Sequence, residues 1–398
     1  MSTRRFAWLS AVLLAALTGS APILADTAPT LPTEPPAAEA QVLTTPRYGQ
    51  DIQPIFDRRC IACHGCLGSP CNLKLDSFAG VQRGAFALNP YATHLVDYPR
   101  TDMDAVGTLA GWRELGFYPV LTEDPSQDDT GAENLNGSLM HRLLAAGSAF
   151  NQPGFSREAL APVYAGRYAY ACPSTVAALD AQLAQNPAQG MPFGLPALDH
   201  QDFDTLTRWI SAGAPGPTEQ EQQATARAAH PAAVARWETF FNDPDPRRQL
   251  VSRYIYEHVY LAAMALEEDP ETHFRLVRSS TPPGEPVAII GTALPYDDPL
   301  AYAGVQRFWY RLHKETGAPV QKSLFVWRLK RAQIAHLDHL FFAPDGPGAH
   351  WDAQAPLDPP WGIGNPFSVF RAIPAEARYR FLLENAAVFQ LSAPGVRG

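Results

Sequence analysis

Two cysteines and a histidine in the pattern C-x-x-C-H, Cys60-Ile61-Ala62-Cys63-His64, constrain this chain more than any other feature of its 398 residues. Two thiols at this spacing can add across the two vinyl groups at one edge of a porphyrin. A histidine directly after the second sulfur then offers its imidazole to the iron. The motif predicts one covalently attached haem c, with Cys60 and Cys63 as thioether anchors and His64 as the proximal iron ligand. Zinc binding by Cys60, Cys63, His64 and Cys66 is the weaker reading, because no second Cys/His knuckle follows at structural-zinc spacing. A thioredoxin-like redox pair wants a strand before the motif. Here Asp51 as a cap, Pro54 in a first turn and Ile52, Ile55 and Phe56 on one face predict a helix leading into it.

The N-terminus bears on the same question. Arg4 and Arg5, the apolar run 6–17 and the small residues that end near Ala25 have the layout of a secretory signal peptide. The run falls short of the roughly 20 apolar residues that a spanning helix wants. Residues 1–25 are therefore read as the export signal and 26–46, rich in Pro, Ala and Thr, as a disordered linker. Export of the mature chain is the consequence. A net charge of −9 without a long Lys/Arg cluster excludes a general nucleic-acid binder.

Further along, Gly190-Met191-Pro192 precedes Leu198, Phe203, Leu206, Trp209 and Ile210 at helical spacing, with Asp199 as N-cap and Gly213 and Pro215 as the stop. This resembles the closing helix of a cytochrome c domain, where a Met before Pro supplies the second axial ligand. Met191 is the candidate, and packing filler is its alternative role. Residues 47–216 then form an all-α, cytochrome c-like haem domain with an insertion between His64 and Met191. Cys66, Cys71 and Cys172 remain: a tight Cys66–Cys71 bridge and a pairing of Cys172 with Cys66 or Cys71 are both compatible with the spacing.

The stretch YGQDIQPIFDRRCIACHGCLGSPCNLKL at 48–75 resembles the haem-binding stretch of the fatty acid cis/trans isomerase family. GFYPV at 116–120, RYIYEH at 253–258, FRLVR at 274–278 and PYDDP at 295–299 are similar to further segments of it, so the resemblance runs from about residue 46 to about residue 387. It implies a periplasmic haem protein in peripheral contact with the membrane, which turns cis double bonds of phospholipid acyl chains into trans. Under that reading His64 is the catalytic residue, through oxidised haem iron acting as an electrophile, and His64 and Met191 are the metal ligands. The stiffened bilayer would answer solvent or heat stress. Family members continue past the position of Asn385, so the chain is read as C-terminally truncated.

Between 213 and 229 the polar composition predicts a linker, and 230–398 an α+β domain. Leu250, Tyr254, Glu257, His258 and Leu261 predict a helix buried on most sides, with Arg253 and Glu257 able to pair. Two roles are open for Arg253 and His258: a structural ion pair, or contact with a lipid headgroup or the haem pocket. Strand-like runs fall at 274–278, 287–290, 307–312 and 324–329. His336 and His339 are read as surface helix residues. Most of Phe308, Trp309, Tyr310, Trp327, Phe341, Phe342, Trp351 and Trp361 are expected in the core, a minority at the membrane interface. The rival function is a periplasmic electron-transfer cytochrome with a redox partner docked on its second domain, and a third is a binding module without haem.

Overall fold

Asp51 does not cap the helix that leads into the C-x-x-C-H motif, whose N-cap is Ile52 without a side-chain bond; it acts one turn earlier. In a computed structural model of the protein, Asp51 accepts a hydrogen bond from the Arg47 amide, 2.7 Å, and closes a π-turn at Tyr48–Ile52. Pro54 sits where its missing N–H costs nothing, in the first turn of α1, Gln53–Arg59. The residues described are 44–65, 69–86, 106, 108–125, 131–155, 158, 172–260, 262–292, 294–302, 304–317, 326–362 and 364–388. The expected signal peptide, nearly all of the linker that follows it, Cys66 and Leu261 lie outside them.

After α1 come α2 (Ile61–His64), α3 (Phe78–Arg83), β1 (Ala85–Phe86), α4 (Leu109–Glu114), β2 (Phe117–Tyr118), α5 (Ala132–Gly137), α6 (Leu139–Phe150), α7 (Val176–Gln185) and α8 (His200–Ser211). Asp199 caps α8 by accepting from the Asp202 amide at 2.8 Å, and Gly213, at φ +84°, ends it. The buried face of α8 lies on the opening turn. The Trp209 ring is 5.9 Å from Tyr48 and 6.1 Å from Phe56, and all three are buried. Burying each such side chain contributes about 1.5–3 kcal/mol. Arg58 adds an ion pair to Asp202 at 2.9 Å between the two helices.

This first lobe is not all α. Ala85 and Phe86 pair antiparallel with Tyr118 and Phe117. Gly84 permits it: a Cβ there would lie 2.1 Å from the Tyr118 carbonyl oxygen, and its φ of +81° suits glycine alone. The two-residue strands leave too short a pattern for sequence to register.

The polar stretch that follows is not wholly a linker. Thr218 and Glu221 form a capping box that starts α9, Glu219–Ala226. Beyond it lie α10 (Pro231–Phe241), α11 (Pro246–Val259), β3 (Ala263–Leu266), β4 (Asp269–Ser279), β5 (Trp309–Lys314), β6 (Val326–Leu329), α12 (Arg331–Phe342), α13 (Pro366–Val369) and α14 (Ala375–Glu384). The sheet runs β5-β4-β3-β6, antiparallel except for β3 with β6. Every residue of α11 from 250 to 256 is buried, and the helix lies against β4 while α10 lies against β5. Residues 287–290 do not form the expected strand: Ile289 alone makes a bridge, to Ser279. Pro282, Pro283, Gly284 and Pro286 just before it remove ladder donors and loosen the backbone.

From Thr45 onward the chain forms one compact unit with two apolar cores, one built from residues between 48 and 214 and the other from residues between 233 and 381. In the second, Glu238 is buried and accepts from Arg311 Nε at 2.9 Å and from the Leu312 amide at 3.0 Å. The same guanidinium donates to the carbonyls of Thr281, Pro282 and Glu285, which satisfies the charge and ties down the proline-rich loop.

The disulfide joins Cys71 to Cys172, 101 residues apart, so of the pairings left open by the spacing the long-range one forms. A loop of this length removes about 4–5 kcal/mol of denatured-state entropy in the chain-entropy account. Reductant or Cys172→Ser should therefore lower the unfolding free energy by about 2–5 kcal/mol, read from denaturant melts of the oxidised and reduced protein. Coincident melts would show that the bridge contributes nothing.

Candidate functional site

At the end of α1 the helix axis breaks at Cys60 and resumes as α2, which carries Cys63 and His64 on a single turn. The Cys63 and His64 amides both donate to the Cys60 carbonyl, at 3.1 and 2.9 Å, so the three motif residues share one closed turn. Cys60 and Cys63 have free thiols. Cys63 is exposed, whereas Cys60 packs against the first core. Burial pushes the Cys60 thiol up to about 12, against the pull of the neighbouring Arg59.

His64 Nδ1 lies 3.2 Å from the Leu73 carbonyl oxygen. A carbonyl only accepts, so the proton sits on Nδ1 and the lone pair on Nε2, the arrangement in which an imidazole ligates a metal while its other nitrogen is held by the protein. The loop that provides this carbonyl is itself braced. The Leu75 amide donates to the His64 carbonyl at 2.7 Å, Ser69 Oγ to Leu73 O at 2.8 Å, and Arg83 to the Asn72 carbonyl. Arg83 in turn lies 4.7 Å from the Phe117 ring and 5.4 Å from the Trp112 ring, which touch each other edge to face. Cys71, within the same loop, is anchored by the disulfide.

Met191 also packs against the first core, alongside Cys60, Cys71 and Leu73. Its backbone is fixed by α6. The Met191 amide donates to Leu143 O at 2.8 Å and Asn151 Nδ2 to Pro192 O at 3.0 Å. Gly147 and Gly190 let the two segments touch: a Cβ on Gly147 would lie 1.9 Å from Met191 O, and one on Gly190 2.2 Å from the Gly147 amide nitrogen. From the other side Arg59 donates to the Pro196 and Ala197 carbonyls at 3.0 Å each. The two predicted iron-ligand segments thus border one core, and Arg59 links the motif helix to the Met191 loop. Leu73, Arg83, Gly147 and Asn151 escaped the sequence reading. Their roles run through backbone atoms or close approach, and only Gly147, a glycine inside an apolar helix, leaves any mark in the sequence.

Among the described residues, which do not include Cys66, no three or more His, Cys, Asp or Glu side chains gather as a metal-binding group.

In the second lobe the residues with two open roles prove structural. Arg253 is buried. It pairs with Glu257 at 2.8 Å, donates to Pro359 O at 2.6 Å and Pro360 O at 3.2 Å, and lies 3.8 Å from the Trp361 ring. Arg278 lies 5.3 Å from the same ring and donates to Asp297 O and Thr292 Oγ1. Three family-like segments, at 253–258, 274–278 and 295–299, therefore meet beside one half-buried tryptophan, the Gly362 amide next to it donating to the Tyr296 carbonyl at 2.8 Å. His258 Nδ1 donates to Tyr254 O at 2.7 Å. His336 lies on the exposed face of α12 and pairs with Glu384 at 2.7 Å. Tyr310, Trp327 and Phe341 are buried, and Phe308, Phe342 and Trp351 pack against them. No helix among the described residues is long and apolar enough to cross a membrane.

Compared with known families, residues 81–392 match the model described as Fatty acid cis/trans isomerase (CTI), which defines the class: an enzyme that isomerises fatty acyl double bonds. The chain belongs to the fatty acid cis/trans isomerase family, the match covering most of its length. It starts at Val81, downstream of the C-x-x-C-H motif, and includes Met191 and all of the second lobe. No curated protein and no solved structure matches the chain.

His258 provides a test of the interior assignment. Burial depresses its pKa below the ordinary 6.5, the Tyr254 carbonyl pulling weakly the other way. Below about pH 6.5 the unfolded chain takes up a proton that the buried ring refuses, so stability is full above that pH and falls as acid is added. His141 and His273, also depressed by burial, act with the same sign. His258→Gln should make the loss of urea midpoint between pH 7 and about pH 5.5 shallower without removing it. An unchanged slope would place His258 in water.

Proposed function

We propose that this chain is an exported isomerase carrying one haem c, bound through Cys60 and Cys63 with His64 as proximal ligand, that converts cis double bonds of phospholipid acyl chains to trans. Family membership supports the reaction. The observation that carries the cofactor is His64, whose Nδ1 is held by the Leu73 carbonyl so that Nε2 has the lone pair. The first lobe is read as a cytochrome c-like haem domain, since its opening helix ends in the motif and its closing helix packs back on the opening turn. A long-range disulfide fits an oxidising compartment, which supports a periplasmic location with peripheral contact to the membrane.

When bound, oxidised haem iron supplies an electrophilic centre that draws π density from an alkene and lowers the barrier to rotation about its axis. The chain does the rest. Cys60 and Cys63 would anchor the group, and His64, its ring held by Leu73 in a loop braced by Ser69 and Arg83, would ligate the iron. Met191 would be a second ligand, its backbone held by Leu143 and Asn151 and packed against Gly147. Isomerisation moves no proton and no electron on balance, so the chain needs no general base, and an apolar surround keeps water from the alkene.

The protein, exported from a host that matures c-type haem, should show haem staining on a denaturing gel. Given vesicles of cis-monounsaturated phospholipid, it should yield trans acyl chains by gas chromatography, and His64→Ala should abolish the conversion. Met191→Ala should leave the haem attached but shift its optical spectrum and lower its reduction potential, because thioether ligation raises it. An unaltered spectrum removes Met191 from the iron. A haem-loaded protein that makes no trans product points instead to electron transfer.

A further inference from the structure

A cleft in the first lobe, outside the residues assigned to the haem, has the size and lining of a lipid-chain site. It lies between α3, α4, the segment 119–125 and the turn after α8, and has a volume of about 240 Å³. One water needs roughly 10–15 Å³ on this measure, so the cleft holds well over a dozen water-sized groups. A methylene is about that size, so the space suits most of an unbranched acyl chain. A second cavity, between Tyr256 and Thr292, has about 20 Å³, room for a single water, and an acyl chain cannot enter it.

Val81, Val120 and Ala214 form the apolar floor, with Phe78, Leu121 and Leu109 around it. The floor residues are part of the same core against which Cys60 and Met191 pack. Leu109, at 42 % exposure, presents a large apolar side chain to solvent. At the rim the charges cancel: Arg113 pairs with Glu123 at 2.6 Å and spends its other nitrogens on the Arg83 and Gln82 carbonyls, at 2.8 and 3.2 Å. No uncompensated charge on these rim residues calls for a polar ligand, and apolar walls open to water favour an apolar one.

We infer that this cleft is the slot that receives the unsaturated acyl chain. The inference rests on the isomerase reading for its ligand class and goes beyond it by assigning the chain-binding residues. Bound there, the chain lies along α3, which begins directly after the loop that holds His64. The family-like segment at 116–120 contributes Pro119 and Val120 to the wall.

The probe is cis-parinaric acid, a fluorescent unbranched fatty acid, titrated into the purified holoprotein. A parallel arm uses phosphatidylcholine vesicles carrying the same acyl group, to separate free from esterified chains. Gln82→Trp fills the mouth from an exposed position, and Leu109→Asp puts a charge on an apolar wall. Each should weaken binding at least about tenfold, roughly 1.4 kcal/mol, in whichever arm shows binding, with the haem spectrum and melting temperature unchanged. Leu300→Trp, an exposed leucine of the second lobe, should bind like the parent. Parent-like binding by both slot variants, or no saturable binding by the parent, overturns the slot. Binding that is lost in the variants while the parent makes no trans product keeps the slot and overturns the isomerase chemistry. Undiminished isomerisation by both variants does the reverse.

Discussion

Everything proposed for the first lobe depends on one apolar contact, the packing of Trp209 against Tyr48 and Phe56. Met191 is 127 residues beyond His64 in sequence, and a flexible chain of that length does not bring its ends together unaided. Loop-closure entropy grows only slowly with length, by about 0.6 kcal/mol for each doubling, so a few buried aromatic rings suffice to hold the ends. Once α8 rests on the opening turn, Arg58 and Arg59 reach Asp202 and the loop after Met191. The Cys71–Cys172 bridge closes the intervening segment from the other side. Burial, charge and covalent closure act on the same two stretches of chain, and those stretches carry the candidate iron ligands.

Around the ligands the structure spends backbone contacts rather than side-chain chemistry. His64 is oriented by a carbonyl, that carbonyl's loop is braced by a buried arginine, and Met191 is seated by two glycines and an asparagine. Such supports have a physical rationale: a ring or thioether that can swing changes the electronics of a metal centre, whereas carbonyl contacts fix its direction. The second lobe shows the opposite economy. Its charged interior groups, Glu238 with Arg311 and Arg253 with Glu257, are paired and further bonded to carbonyls, which lets them sit among aromatic rings without leaving an unpaired charge.

Legibility in the sequence followed the strength of local signals. The C-x-x-C-H turn, the helix before it, the Asp199 cap and α11 were readable because each depends on residues within one or two turns of one another. The strand β3 was not. Its residues, Ala-Met-Ala-Leu, are buried on both faces and so show no alternation, and alanine is a poor strand former. The β1–β2 pair was hidden for another reason, since two short strands joined across the 30 residues between them leave only the glycines at their ends as a trace. Residues 287–290 erred the other way: an apolar run reads as a strand, yet the preceding prolines leave it without a ladder partner beyond one bridge. Within the candidate site the candidate ligands come from a motif in the sequence and their supports do not, because a supporting carbonyl belongs to no particular residue type.

Family membership and the haem motif rest on different parts of the chain, and that separation has a mechanistic consequence. The family match begins at Val81, inside α3, whereas the residues that would hold iron precede it, apart from Met191. The family match and the C-x-x-C-H motif are thus independent observations, and the groups they point to must meet physically for the proposed chemistry to occur. The place where they meet is α3 itself. Its N-terminus continues the loop from His64 through Leu73 and Leu75, its Arg83 braces that loop, and its Phe78 and Val81 line the cleft. A single six-residue helix therefore joins the proximal ligand's support to the apolar slot, so that any shift of α3 moves both together. A cofactor that weakens a double bond is productive only if the chain carrying that bond is held in register with it, and a shared rigid element is the most direct way for a fold to enforce that register.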